Sequence, residues 1–210
     1  MITLVVVRHG ETDWNRMRRL QGHTDIALNA SGLLQAGRLA ARLADETIAA
    51  IYTSDLARAR DTALPVAVAL GLIAKETPLL RERNYGLFEG LTFEEIITRY
   101  PQDAERLKAR DAAYAMPGGE SQEAFYTRAV ATVGKIAMHE IAEGVSGEQR
   151  CVLIVTHGGV LDMLYRAAYE LPLDVARTRP IPNAALNRLA FDGDRFRVLE
   201  WADDGHLDGL

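Results

Sequence analysis

The chain has 210 residues, 48% hydrophobic and 25% charged, with a net charge of −5, a composition suited to one domain with a sizeable core. It contains no run of about 18 apolar residues that would predict a transmembrane helix, and its acidic balance argues against nucleic acid or an anionic membrane surface as partner. The first apolar stretch ends in Arg8-His9 without the layout of a signal peptide, and the one cysteine, Cys151, reads as a small buried thiol, so the cytoplasm is the expected compartment.

In chain order, residues 2–7 are rich in β-branched side chains on consecutive positions, the pattern of a strand buried on both faces. Residues 28–45 predict an amphipathic helix, with Leu33, Ala36, Ala40 and Leu43 on one stripe and Ser31 near its start. A short strand is predicted at 49–55 and a helix at 56–70, ended by Gly71. Thr92-Phe93-Glu94-Glu95 is a capping box opening a helix that Pro101 stops, followed by a polar stretch, 102–121. Residues 122–143 predict a long helix with Gly144 as its stop. The stretch 150–159 repeats the opening theme: apolar strand, histidine, glycines, then a helix over 160–171. Residues 186–191 and 195–201 flank Asp192-Gly193-Asp194 as a hairpin, and the last residues read as a loose tail. The alternation implies an α/β fold: a three-layer α/β/α sandwich around a mainly parallel sheet with one antiparallel edge. It forms a single domain over 1–210, with a short insertion at about 92–121 over the active site.

In open α/β sheets ligands bind outside the carboxyl ends of the strands. His9 and His157 both fall there, each followed by glycine, and a strand-to-helix loop offers free backbone N–H groups to an anion. A third strand end, Ser54-Asp55, leads into a helix carrying Arg58 and Arg60, which point in different directions; Arg60 reads as a solvated helix face. His23 follows a Gln-Gly turn near the site, His139 falls on a helix and His206 in the tail.

Arg8-His9-Gly10-Glu11-Thr12 with Trp14-Asn15, then residues 21–36, 54–63, 82–90 and 156–159, resemble in order the motifs of the histidine phosphatase superfamily, which includes the cofactor-dependent phosphoglycerate mutases. The resemblance implies a phosphoglycerate mutase-like fold and a catalytic set of His9, Glu82, His157, Arg8 and Arg58. His9 would be the nucleophile that becomes phosphohistidine, helped by a side-chain pKa near 6.5 that leaves it largely neutral at neutral pH. Arg8, Arg58 and His157 would hold the phosphoryl oxygens, and Glu82 would protonate the leaving group and then activate water. Asn15, Gln21, Gly22, Tyr85 and Gly158 complete the implied phosphate and substrate contacts. No cofactor or metal is implied, and no HExxH or CxxC pattern is present.

The mutases of the family carry paired arginines after the glutamate motif and usually Gly-Asn after the second histidine. Here no Arg-Arg lies between Glu82 and Ser121, Pro117-Gly118-Gly119-Glu120-Ser121 is similar to the small phosphatases, and Gly158-Gly159 follows His157. The expected function is therefore a metal-independent phosphomonoesterase acting on a small phosphorylated metabolite. A 2,3-bisphosphoglycerate-dependent phosphoglycerate mutase is the runner-up, with Arg83, Arg106 or Arg110 as its carboxylate grip; a phosphoprotein phosphatase is the third reading. A non-catalytic module is opposed by the intact residue set, and a haloacid-dehalogenase-type phosphatase by the hairpin position of 191–194. Substrate-selecting side chains are expected in 92–121 and around Gln21, Gly22 and His23, and a homodimer is the base-rate expectation.

Overall fold

The computed structural model describes residues 1–144 and 150–210. Strands β1 (Ile2–Arg8), β2 (Ala50–Ser54), β3 (Ala74–Thr77), β4 (Arg150–Thr156), β5 (Leu186–Phe191) and β6 (Phe196–Asp203) form one sheet in the order β3-β2-β4-β1-β5-β6. The first four in that order are parallel, and the β5–β6 hairpin supplies the antiparallel edge. The helices are α1 (Asp13–Arg16), α2 (Ala30–Leu43), α3 (Ala57–Leu70), α4 (Phe93–Arg99), α5 (Pro101–Lys108), α6 (Gln122–Glu143) and α7 (Gly158–Tyr169).

The unbroken apolar run of β1 follows from its place between two helical layers. Leu4 and Val6 pack with Val133 of α6 and Leu161 of α7, while Val5 and Val7 pack with Leu39 of α2 and Val66 of α3. All four strand residues are fully buried, each contributing roughly 1.5–3 kcal/mol of apolar transfer. This is the expected three-layer α/β/α sandwich. Among the described residues no helix is long and apolar enough to cross a membrane.

Several local expectations are corrected. Leu33 is 58% exposed, and the buried stripe of α2 runs through Gly32, Ala36, Leu39, Ala40 and Leu43; Asn29, not Ser31, caps it by accepting from the Gly32 N–H. Pro101 does end α4 but also opens α5 at a position where its missing N–H is harmless. β3 and α1 were not predicted: β3 is a short edge strand with exposed Lys75 and Glu76, and α1 is one turn held by a Thr12–Asn15 capping box. The final residues are not loose, because Gly205–Leu207 forms a 3₁₀ turn against α2. Cys151 is half-buried rather than buried, and burial pushes its thiol up to about 11. Segment 92–121 packs as a satellite, where Ile96, Ala104, Tyr114 and Met116 enclose Phe88.

Candidate active site

β1, β2 and β4 are the central neighbours of the sheet, so their carboxyl ends converge. His9 stays in the ladder through its backbone N–H, which donates to the Thr156 carbonyl at 2.8 Å. Its ring Nδ1 lies 2.7 Å from the Gly10 carbonyl oxygen. A carbonyl can only accept, so this contact assigns the proton to Nδ1 and leaves the Nε2 lone pair free. Gly10 itself is clamped: its N–H donates to Thr62 Oγ1 at 2.9 Å, and an added Cβ would sit 2.7 Å from the Gly32 carbonyl of α2. Asn183 fixes the other side by donating to the His9 carbonyl at 2.8 Å.

His157 starts α7, fully buried, with its ring centroid 5.2 Å from that of His9. Its Nε2 lies 2.9 Å from Ser54 Oγ at the end of β2, and its Nδ1 has no partner. Arg58 is also fully buried; its two terminal nitrogens donate to the carbonyls of Thr24 at 2.9 Å and Gly22 at 2.7 Å. Arg8 donates to the Ile181 carbonyl at 2.8 Å. Arg8 Nε, Arg58 Nε, His157 Nδ1 and the Gln21 amide oxygen are buried without partners, and among the described residues the other such side-chain atoms all belong to His206. Buried polar atoms are ordinarily satisfied, so their concentration here marks a place built for an incoming ligand. Burial, and then the charges of Arg58 and Arg8, push His9 well below the usual histidine range; burial, Arg58, His9 and Arg8 do the same to His157. Burial also pushes Arg58 down to about 10.

Glu82 is held by two backbone donors, the N–H of Arg83 and that of Gly159 at the start of α7, each at 2.8 Å. Gly159 has to be glycine, since a Cβ there would stand 2.0 Å from Glu82 Oε1 and 2.9 Å from Phe125 Cε1. Arg8, His9, Asn15, Gln21, Arg58, Glu82, Tyr85 and Gly158 all line one cavity of about 450 Å³, within the range of small-molecule sites. Asn15 Oδ1 is occupied by the Thr12 N–H and hydroxyl, each at 3.1 Å, which leaves its amide nitrogen as a donor.

Gly22 and His157 are not on the cavity wall; the Gly22 carbonyl steadies Arg58, and the His157 ring packs edge-on against that of His9. His23 acts behind the wall as well, with Nε2 3.0 Å from the Glu82 carbonyl. Arg60 is exposed and His139 lies on the outer face of α6, as solvated residues should. Segment 92–121 supplies no cavity-lining residue; Arg106 is tied to Asp111 at 2.6 Å and stacked over Tyr114, and Arg110 does not line the cavity either. The wall is completed by residues the sequence did not single out, including Arg18, Gln122, Asp162 and Arg177. Ser54 was noted only as a strand end. Nothing in the local sequence around Arg18 or Arg177 marks either as facing the site.

Two buried histidines at the ends of parallel strands, with half-buried Arg8 and the buried Arg58 of α3 beside them, agree with the family match. The family described as histidine phosphatase superfamily (branch 1) matches residues 4–204. The chain belongs to that superfamily. Within it, this histidine phosphatase is 38% identical over 210 residues to "Phosphoglycerate mutase-like protein 4" of Arabidopsis thaliana, covering 98% of this chain and 86% of the relative. It is 35% identical over 210 residues to the Arabidopsis "Metal-independent phosphoserine phosphatase", covering 99% and 84%. A solved mycobacterial glucosyl-3-phosphoglycerate phosphatase in complex with VO3 superposes with a TM-score of 0.82 at 31% identity, over 96% of this chain and 99% of that one.

Proposed function

We propose that this chain is a phosphomonoesterase that passes the phosphoryl group of a small phosphorylated metabolite to His9 and then to water. The observation that carries this reading is the set of unpartnered buried nitrogens on Arg8, Arg58 and His157 beside His9, whose Nε2 is held free. A phosphoryl group seated on them would present phosphorus to Nε2. The N–P bond forms as the ester P–O bond breaks, and the protonated Glu82 carboxyl gives its proton to the departing oxygen. In the second half, Glu82 as carboxylate takes a proton from water while that oxygen attacks phosphorus and frees Nε2. The arginines and His157 stabilise charge on the equatorial oxygens throughout, fixed in place before reaction.

The named phosphatase relatives support hydrolysis of a small metabolite, while the mutase-like relative keeps phosphoglycerate isomerisation as the second reading. Cytoplasmic location and a homodimer complete the proposal. The deciding experiment incubates the protein with 3-phosphoglycerate or p-nitrophenyl phosphate in EDTA, with and without 2,3-bisphosphoglycerate, using His9→Ala as blank. Phosphate release without isomerisation is expected. Rapid bisphosphate-dependent formation of 2-phosphoglycerate would make it a mutase, and activity lost in EDTA but restored by metal would overturn the chemistry.

A further inference from the structure

The cavity wall carries more positive charge than one phosphoryl group requires. Of its arginines, Arg8 and Arg58 stand at His9, and Arg19 is neutralised by Glu95 at 2.8 Å. Arg83 donates to the carbonyls of Glu120 at 3.0 Å and Tyr114 at 3.1 Å. Arg18 and Arg177 remain, and among the described residues neither has an ion-pair partner. The two carboxylates on the wall are committed elsewhere, Glu82 to backbone N–H groups and Asp162 to Arg166 at 3.1 Å.

Both residues are presented by fixed backbone. The loop 171–181 that carries Arg177 is pinned on both sides of it without using Arg177 itself. On one side, Arg166 of α7, only 3% exposed, donates to the Pro172 carbonyl at 2.5 Å and the Val175 carbonyl at 2.9 Å. On the other, Arg179 lies 4.0 Å over the Tyr165 ring, Trp201 Nε1 donates to the Pro180 carbonyl at 3.0 Å, and Arg8 holds the Ile181 carbonyl. Arg18 follows α1 with φ of 54°, the left-handed region where glycine is the default after a helix. The backbone there gains nothing from an arginine, whereas the cavity gains a cation.

Resting on the phosphatase reading, we propose that Arg18 and Arg177 form an outer anion subsite, so that the substrate is a phosphate monoester bearing a second anionic group, carboxylate or phosphate. The inner arginines and histidines receive the transferring phosphoryl, and the outer pair receives the other anion through charge-assisted hydrogen bonds. Selectivity then comes from two side chains with no role at the reacting phosphorus, and their effect falls on KM rather than kcat.

The test compares matched substrates: 3-phosphoglycerate against glycerol 3-phosphate, and fructose 1,6-bisphosphate against fructose 6-phosphate. The wild-type protein is expected to favour at least one doubly anionic member about tenfold or more in kcat/KM, the pair showing the preference identifying the second anion. Arg177→Gln and Arg18→Gly should each cut that ratio severalfold through KM, while Arg106→Gln, outside the cavity, leaves it in place. Arg18→Gly suits the left-handed backbone, so it should melt no lower than wild type and its loss of selectivity cannot be assigned to misfolding. Ratios near one in wild type, or ratios untouched by both variants, would overturn the subsite even if every ester is hydrolysed. Calorimetric binding of the same pairs separates the two claims: an Arg177-dependent preference in binding without phosphate release from any ester would keep the subsite and reject the phosphatase.

Discussion

Arg58 is buried to 0% exposure with only the carbonyls of Gly22 and Thr24 to receive its guanidinium, an arrangement that costs folding free energy in the absence of an anion. Arg58→Met, of similar length, is therefore expected to unfold at equal or higher denaturant concentration than wild type while losing about 10²-fold or more in kcat/KM. A variant both less stable and fully active would contradict that assignment. The two histidines make a second residue-scale prediction. Their folded pKa values lie below the unfolded value, so the unfolded state binds more protons below about pH 6.5 and stability falls as pH drops through that window, by up to about 1.4 kcal/mol per pH unit for each histidine. Between pH 6.5 and 5, urea unfolding of His9→Asn should show a shallower loss than wild type; parallel curves would mean that His9 is not held neutral. His9, Arg8 and His157 were legible because each sits in a short run at a strand end. Arg18 and Arg177 were not, since only the path of the loops brings them to the same wall.

At the scale of elements, legibility followed local chemistry. The long helix over 122–143 was placed to the residue because Ser121 caps its start and Gly144 its end, and the Thr92–Glu95 capping box is formed as the sequence implied. The stripe of α2 was misregistered at Leu33, because a helix rich in leucine and alanine supports more than one apolar face on paper. β3 carries lysine and glutamate at an exposed edge, where alternation is too short to register. The start of α7 is a functional constraint as well as a helix end. Gly159→Ala would drive a methyl into Glu82, so kcat should fall by about 10²-fold with the fold retained; near-normal kcat would show that Glu82 tolerates displacement. Pro65 lies inside α3 and withholds an N–H there. Pro65→Ala should raise the unfolding free energy by about 1 kcal/mol or more, and a lower denaturation midpoint would show that the ring's packing outweighs its backbone cost.

For the whole molecule, the order β3-β2-β4-β1-β5-β6 makes the sequence-distant ends of β1, β2 and β4 neighbours, which is why residues around positions 9, 54 and 157 share one site. An overall acidic chain thereby holds a locally basic cavity, with its cations drawn from β1, the loop after α1, α3, the segment after β3 and the loop after α7. The layered fold was legible because consecutive apolar residues in β1 and β4 require helices on both faces. The course of the 92–121 segment was not, because its small apolar cluster around Phe88 depends on contacts from outside that segment. The central claim is that His9 carries the phosphoryl group between ester and water. The most direct measurement is rapid mixing with a ³²P-labelled monoester, alkaline quench, and peptide mapping of the labelled protein. Label on the peptide containing His9, stable to alkali, labile to acid and lost in His9→Asn, is the predicted result. Steady-state hydrolysis with no labelled protein at any mixing time, or label that persists in His9→Asn, would contradict it.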